Sequence, residues 1–144
     1  MRMLIMVMLI LPGRVFAQTP SATEVINQWI SMWNTYDLSM VDSLFDKYAT
    51  YFSSEYDGLI EGLEKLREHH RKFGFVDGGK TTGNTLWLEN LKERPVGAAA
   101  LLVTGTWYFR RIDSVRPQTG PVTFLLGKVS GRWKILHAHF ANSP

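Results

Sequence analysis

Residues 120–129 (GPVTFLLGKV) and 131–140 (GRWKILHAHF) decide the fold of this chain. Both segments have the period-two pattern of β-strands, and Ser130-Gly131 between them is typical of a hairpin turn. Apolar residues occupy both faces of the second strand, with Trp133 and Ile135 on one face and Leu136, Ala138 and Phe140 on the other. A half-buried antiparallel strand has one polar face. We therefore expect a sheet covered on both sides, by the chain's own helices and by a partner chain.

The first 17 residues have the pattern of a signal peptide. Arg2 supplies the positive start, residues 3–11 form an apolar run, and Val15-Phe16-Ala17 offers small residues before a cleavage site after Ala17. The run is shorter than the about 20 residues that cross a bilayer. We expect a secreted or periplasmic domain over residues 18–144, without stable membrane insertion after cleavage. An uncleaved amino-terminal anchor is the alternative.

Composition narrows the classes of function. The 144 residues include 16 Lys and Arg against 13 Asp and Glu, a net charge of +3. Arg2 and Arg14 would leave with the signal peptide, which reduces the net charge of the remaining 127 residues to +1 and argues against nucleic acid as a partner. The absence of cysteine excludes disulfides, thiolate catalysis and cysteine metal sites. We expect one domain and no cofactor.

Three helices are predicted before the main strands. Ser21-Ala-Thr-Glu24 is a capping box that begins a helix to about Asn34. Asp37 or Ser39 caps a second helix, whose apolar stripe is Leu38, Val41, Leu44 and Phe45. Residues 50–53 indicate a short strand, and residues 62–73 return to a helical period.

The rest of the chain is predicted to be a glycine-rich connection followed by strands. Residues 74–83 contain too much glycine for a regular element and are a candidate flap. Residues 85–91, 98–111, 122–129 and 132–140 predict a four-stranded antiparallel meander. The fold class is therefore α+β, with an antiparallel sheet and three helices.

This order of elements resembles the nuclear transport factor two-like superfamily, in its SnoaL-like branch. The resemblance rests on Asn34-x-x-Asp37-Leu38, on Thr104-Gly105-x-Trp107 and on the terminal Gly131-Arg-Trp-Lys-Ile-Leu-His-Ala-His139. It implies a curved sheet wrapped around three helices as a cone-like barrel with an apolar cavity, commonly in a homodimer whose sheets meet back to back. Since the superfamily holds both enzymes and association domains, the resemblance does not identify the chemistry.

The resemblance also argues against one reaction of the superfamily. Matching to its ketosteroid isomerases puts Trp29 at the oxyanion tyrosine, Ser53 at the general-base aspartate and Phe124 at the protonated aspartate. Serine is not a base near neutral pH, and neither tryptophan nor phenylalanine has an acidic oxygen donor. These three positions still predict which side chains face the cavity.

Alternation along the strands and helical spacing predict a wider ligand pocket. Trp29 and Trp33 share one helix face, Tyr51 and Ser53 share one strand face, and Thr104 shares a face with Tyr108. Aromatic residues at helical spacing also commonly fill a core, which is the alternative for the tryptophans. The predicted pocket residues are Trp29, Trp33, Tyr51, Ser53, Thr104, Tyr108, Phe124, Leu136 and Phe140.

His70 is the candidate catalytic residue. It lies on the apolar side of the third predicted helix between Leu66 and Phe73, whereas His69 is less apolar-facing. A histidine facing the cavity would act as general acid or base, because its ordinary pKa is near neutrality. The alternative is a structural histidine whose nitrogens are hydrogen-bonded in the interior.

The last strand also contributes to a predicted dimer face. The turn at Ser130-Gly131 allows two registers. A two-residue turn would pair Phe124 with His137, and a three-residue loop ending in left-handed Gly131, which we favour, would pair Phe124 with Leu136. Both histidines of the strand would then lie on the outer side. The predicted dimer face is Trp107, Trp133, Ile135, His137 and His139. We expect no metal there, because no carboxylate motif accompanies the two histidines.

Two functions remain open from sequence. One is an exported domain that binds a small hydrophobic molecule in its cavity, with or without lyase, isomerase or hydrolase chemistry at His70. The other is a non-catalytic dimerisation or association module that works through its outer sheet face. A void that exposes His70 favours the first, and a cavity filled by aromatic side chains favours the second.

Overall fold

The computed structural model describes residues 20–144, so the predicted signal peptide and its cleavage site lie outside the described residues. The chain is α+β, as predicted, with three α-helices and one six-stranded sheet. No helix among the described residues is long and apolar enough to cross a membrane.

The helices are α1 (Ala22–Thr35), α2 (Val41–Leu44) and α3 (Leu63–Lys72), and a 3-10 turn (Leu38–Met40) precedes α2. The predicted capping box is present, since Glu24 N donates to Ser21 Oγ at 3.2 Å and Ser21 N to Glu24 Oε2 at 2.5 Å. The second helix is shorter than predicted. Phe45 begins a strand instead, because its backbone pairs with Ile135 and its side chain is buried.

The strands are β1 (Phe45–Phe52), β2 (Ile60–Glu61), β3 (Thr85–Val96), β4 (Ala100–Arg110), β5 (Gln118–Val129) and β6 (Arg132–Phe140). Their order in the sheet is β2-β1-β6-β5-β4-β3. Strands β3 to β6 form the predicted antiparallel meander, and β1 extends it by pairing in parallel with β6. The sheet is curved and open, with β2 and β3 at its edges.

The β5–β6 hairpin has a two-residue turn, so the predicted three-residue loop is wrong. Val129 pairs with Arg132, and both Ser130 (φ 49°) and Gly131 (φ 76°) have positive φ, as a type I′ turn requires. A bulge then shifts the register, because Leu126 pairs with Ile135 while Leu125 pairs with His137. Phe124 consequently pairs with Ala138, which neither of the two turn alternatives predicted.

The bulge changes the faces predicted for β6. Ile135 was expected on the dimer face, but it pairs with Leu126 on the inner face and has no exposed surface. Leu136 was expected in the pocket, but its Cδ1 lies 2.6 Å from the position of a Cβ on Gly127, which is on the outer face. The extra residue in one strand reverses the alternation on either side of it.

The faces of β4 are the reverse of those predicted. Val103 pairs with the inward-facing Phe124, which places Trp107 on the inner face and Thr104 and Tyr108 on the outer face. Trp107 is therefore not on the dimer face, and Thr104 and Tyr108 are not in the pocket. The inner set is the more apolar of the two, and strand pairing places it on the inner face of the sheet rather than at a dimer interface.

The core lies between α1 and the inner face of the sheet. The rings of Trp29 and Phe124 meet edge to face with centroids 5.1 Å apart, and both side chains are fully buried. The glycine-rich connection is tied to the end of α1, since Lys80 N donates to Thr35 O at 2.7 Å and Gly78 N to the Asp37 carboxylate at 3.1 Å. The candidate flap is thus held by backbone contacts.

Candidate functional site

A cavity of about 50 Å³ lies between α1 and the inner face of the sheet. Its volume is far below the roughly 300–1,000 Å³ of sites that enclose drug-sized ligands. Its walls are formed by Trp29, Trp33, Tyr51, Ser53, Ser54, Glu55, Phe73, Leu86, Trp107, Phe109, Arg111, Gln118 and Phe140. The cavity has room for a few water molecules or a small organic group.

Five of the nine predicted pocket residues meet in this cavity, namely Trp29, Trp33, Tyr51, Ser53 and Phe140. Phe124 lies behind Trp29 and is fully buried, without lining the cavity. The other three predicted residues, Thr104, Tyr108 and Leu136, are on the outer face.

Aromatic side chains reduce the space available in the cavity. Trp29 stacks on Phe140 at 5.1 Å with an interplanar angle of 15°, and Trp33 packs edge to face against Phe109 at 5.9 Å. Phe75 contacts Trp33 from the other side at 5.0 Å. These contacts hold the tryptophans in place and give the cavity a rigid apolar floor.

The mouth of the cavity is polar. Gln118 Nε2 donates to a carboxylate oxygen of Glu55 and to Asn142 Oδ1, the latter at 2.8 Å. Arg111 lies beside them and has no carboxylate within 4.0 Å among residues 20–144. Arg111 directly follows β4, and its place at the mouth depends on the pairing of β4 with β5, which no local sequence pattern reveals.

His70 is enclosed by aromatic rings and does not line the cavity. Its side chain has no exposed surface, and Trp33, Phe45, Tyr51 and Phe75 surround its ring at centroid distances of 5.0–6.5 Å. Its Nδ1 lies 2.8 Å from Leu66 O, so this nitrogen carries the proton and Nε2 is a buried acceptor without a partner in the described part of the chain. The expected exposure of His70 in a void is not observed.

Burial also sets the protonation of His70. It lowers the pKa of the imidazole to about 4, despite the opposing effect of the Leu66 carbonyl. The ring is therefore neutral at pH 7. With no surface for a substrate to reach, it contributes hydrogen bonding and packing in this conformation.

The hydroxyl groups of the cavity remain neutral donors and acceptors. Burial raises the pKa of the Tyr51 hydroxyl above its ordinary value, so Tyr51 stays protonated. Ser53 follows two residues later and also lines the cavity. This set can orient a small polar group, but it holds no histidine for acid–base chemistry and its carboxylate, Glu55, is at the exposed mouth.

The outer face of the sheet carries apolar side chains that no helix covers. Trp87 and Tyr108 stack there with centroids 5.1 Å apart and planes 8° from parallel. His137 and His139 also lie on this face, paired with Leu125 and Thr123. His137 Nδ1 is 2.8 Å from Thr50 Oγ1. Trp133 was expected on the dimer face, but it shares a face with Ile135 and packs against the core, so it lies on the inner side of the sheet. Among residues 20–144, no group of three or more His, Cys, Asp or Glu is placed to hold a metal ion.

Comparisons with known proteins identify the fold. The sequence matches no protein-family profile and no curated protein. An NTF2-like protein from Pseudomonas putida has a TM-score of 0.72 at 15% identity, covering 83% of this chain and 82% of that one. An NTF2-like superfamily protein from Salmonella enterica has a TM-score of 0.67 at 22% identity, covering 85% and 88%.

A third similar structure is the association domain of C. elegans CaMKII, with a TM-score of 0.66 at 22% identity over 83% of this chain and 91% of that one. The chain therefore has the α+β fold of the nuclear transport factor 2-like proteins, as the sequence resemblance predicted. At these identities the similarity establishes the fold and leaves the activity open.

Proposed function

We propose that the protein is a non-catalytic self-association module, which pairs with a second copy through the outer face of its sheet. The observation that carries the proposal is an apolar surface on that face, formed by Leu102, Leu125 and Leu136 together with the stacked Trp87 and Tyr108. We call this surface the outer patch.

The outer patch is suited to a face-to-face contact between sheets. All five side chains are half-buried within one chain, and Thr104, Thr106 and Thr123 lie among them, while the charged Glu89, Lys92 and Arg94 of edge strand β3 lie at the rim of the same face. Interfaces of this kind are depleted in charge at their centre and enriched in aromatic residues. A second sheet packed at about 10 Å would remove these side chains from water.

The interior supports a non-catalytic role. The cavity is small, its floor is aromatic, and His70 is separated from it by packed rings. General acid–base catalysis requires a group within hydrogen-bonding reach of the substrate. The similarity in fold to an association domain adds to this argument.

Sedimentation equilibrium of the purified protein tests the proposal. The wild type is expected to have the mass of a dimer, and Leu125→Glu to have that of a monomer with an unchanged circular dichroism spectrum, because the carboxylate would be buried unpaired in the interface. Val115→Glu is the matched control, since Val115 is 95% exposed on the β4–β5 loop. A monomeric wild type at every concentration, or a dimeric Leu125→Glu variant, would refute it.

We propose as a second candidate that the cavity binds a small hydrophobic molecule. The polar mouth, the apolar floor and the neutral Tyr51 hydroxyl in the cavity wall support this role. Native mass spectrometry of gently purified protein should detect a retained small molecule that is lost in Ser53→Trp, which fills the mouth. Detection of only the bare polypeptide, in wild type and variant alike, would remove this candidate.

We also propose that the protein is exported. The basis is the signal-peptide pattern of residues 1–17, which ends in Val15-Phe16-Ala17. The intact mass of the secreted or periplasmic protein should correspond to a chain that begins at Gln18. A mass that includes residue 2 onward would identify an uncleaved segment instead.

A further inference from the structure

A second concave site lies on the side of α3 away from the cavity. Tyr56, Leu59 and Ile60 form one wall, and α3 forms the other. Its volume is about 220 Å³, several times that of the cavity, and no residue lines both sites. We call it the α3 cleft.

The helical wall of the α3 cleft is cationic. Lys65, Glu68, His69 and Lys72 follow one another at i, i+3, i+4 and i+7, so they share one face of the helix. Lys72 Nζ lies 3.4 Å from the Glu68 carboxylate. Because this ion pair is exposed and therefore weak, Glu68 competes little with a ligand for the Lys72 ammonium group. Lys65 has no carboxylate within 4.0 Å among the described residues. One positive charge is therefore uncompensated in the cleft.

His69 contributes a buried polar atom without a partner. The side chain is only 6% exposed, and its Nε2 has no hydrogen bond within residues 20–144. Its ring is held between Phe73 at 5.0 Å and Tyr51 at 5.6 Å, which prevents it from turning toward solvent. The His69 ring therefore closes the inner end of the cleft without presenting an accessible nitrogen to a ligand.

The opposite wall of the α3 cleft is apolar and incompletely covered. Tyr56 is 49% exposed and Leu59 is 42% exposed, although both are large hydrophobic side chains. The cleft therefore places an exposed apolar wall across from two ammonium groups. This combination matches a ligand with an apolar body and an anionic end.

We propose that the α3 cleft binds a small carboxylic acid with an aromatic or branched apolar body. Lys65 and Lys72 hold the carboxylate, Tyr56 and Leu59 pack against the body, and the His69 ring closes the inner end of the cleft. The cleft is smaller than the roughly 300 Å³ lower limit of drug-sized sites, which restricts the ligand to about the size of benzoate.

The experiment is a titration of the ¹⁵N-labelled full chain with benzoate, followed by heteronuclear NMR, with benzyl alcohol as the uncharged control ligand. Benzoate is expected to give saturable shifts in residues 56–72, and benzyl alcohol to bind at least roughly tenfold more weakly, because the charge-assisted hydrogen bonds are lost. Lys65→Met and Lys72→Met should each weaken benzoate binding by a similar factor. Lys92→Met, an exposed lysine on β3, is the matched control and should leave it unchanged.

Three outcomes would overturn this proposal. These are equal affinities for benzyl alcohol and benzoate, chemical shift changes centred on Trp29 and Phe109 in the cavity, and the absence of any saturable shift. Self-association is read from the mass of the protein, so its failure is distinguishable from failure here.

Discussion

The indole ring of Trp29 on α1 lies almost parallel to the ring of Phe140 at the end of β6, with centroids 5.1 Å apart and planes 15° from parallel. This stack joins the first helix to the last strand, and Phe124 packs edge to face against both rings. It separates the cavity from the interior and gives the cavity its floor. The stability of the domain and the shape of the candidate site therefore depend on the same contact.

We predict that Phe140→Ala lowers the free energy of unfolding by about 3–5 kcal/mol, because it removes a buried ring and leaves a void. Phe140→Leu should cost less than about 1.5 kcal/mol, since most of the volume is retained. Urea unfolding followed by circular dichroism measures both. Tyr48→Ala, at a side chain that is 76% exposed, should change the value by no more than about 0.5 kcal/mol. Equal losses at positions 140 and 48 would contradict the packing described.

Asn34 fastens α1 to the sheet by two hydrogen bonds to one residue. Its Nδ2 donates to Leu86 O at 3.0 Å, and its Oδ1 accepts from Leu86 N at 2.7 Å. We predict that Asn34→Ala destabilises the protein by about 1–3 kcal/mol, because both backbone groups lose their partner. Asn27→Ala is the matched control, an exposed asparagine on the same helix. Thermal unfolding of the two variants should show a lower Tm for Asn34→Ala only.

We predict that stability falls as the pH is lowered from about 6.5 toward 4. Burial lowers the pKa of both His69 and His70 to about 4, whereas an unfolded histidine has an ordinary pKa of 6.5. Between these values the unfolded chain binds more protons, so the free energy of unfolding decreases as the pH falls. The slope is up to about 1.4 kcal/mol per pH unit for each histidine.

Urea unfolding at a series of pH values measures this slope. In His70→Gln the slope of the free energy of unfolding against pH should decrease by the contribution of one histidine. Glutamine does not titrate, but its side-chain amide can still donate to Leu66 O. Asn27→Gln, an exposed and non-titrating position on α1, is the matched control and should keep the wild-type slope. An unchanged slope in His70→Gln would show that His70 is not held neutral by burial.

The β5–β6 turn offers a stabilising substitution. Ser130 has φ 49°, a left-handed conformation that costs a non-glycine residue about 1 kcal/mol. Asparagine tolerates it better, so Ser130→Asn is predicted to raise the free energy of unfolding by several tenths of a kcal/mol or more. Gly131→Ala at φ 76° should lower it. A three-residue loop would also hold Gly131 in a left-handed conformation, so Gly131→Ala would lower the free energy of unfolding in either case. Such a loop would remove the gain from Ser130→Asn, which makes Ser130→Asn the discriminating variant.

Local sequence signals located the elements well, and long-range pairing determined which residues form the site. The capping box and the helical period placed α1 and α3 to within one or two residues, and alternation placed the meander. The same alternation put Thr104 and Tyr108 in the pocket and Trp107 outside it. The inner set contains Val103, Trp107 and Phe109 whereas the outer set contains Thr104 and Thr106, so the more apolar face meets the core, and the prediction assigned that face to the dimer instead.

The fold class follows from the sequence because capping, helical spacing and period-two alternation are local properties that each segment carries by itself. The positions of Ile135 and Leu136 do not follow from it, since they depend on the turn at Ser130 and on the bulge beside Leu136, and the position of Arg111 depends on the pairing of β4 with β5. One inserted residue exchanges the inner and outer sides of a strand beyond that point. Whether such a bulge is stable depends on contacts with neighbouring strands, which are distant in sequence. Tertiary structure alone therefore decided that His70 is sealed in the core and that the α3 cleft exists.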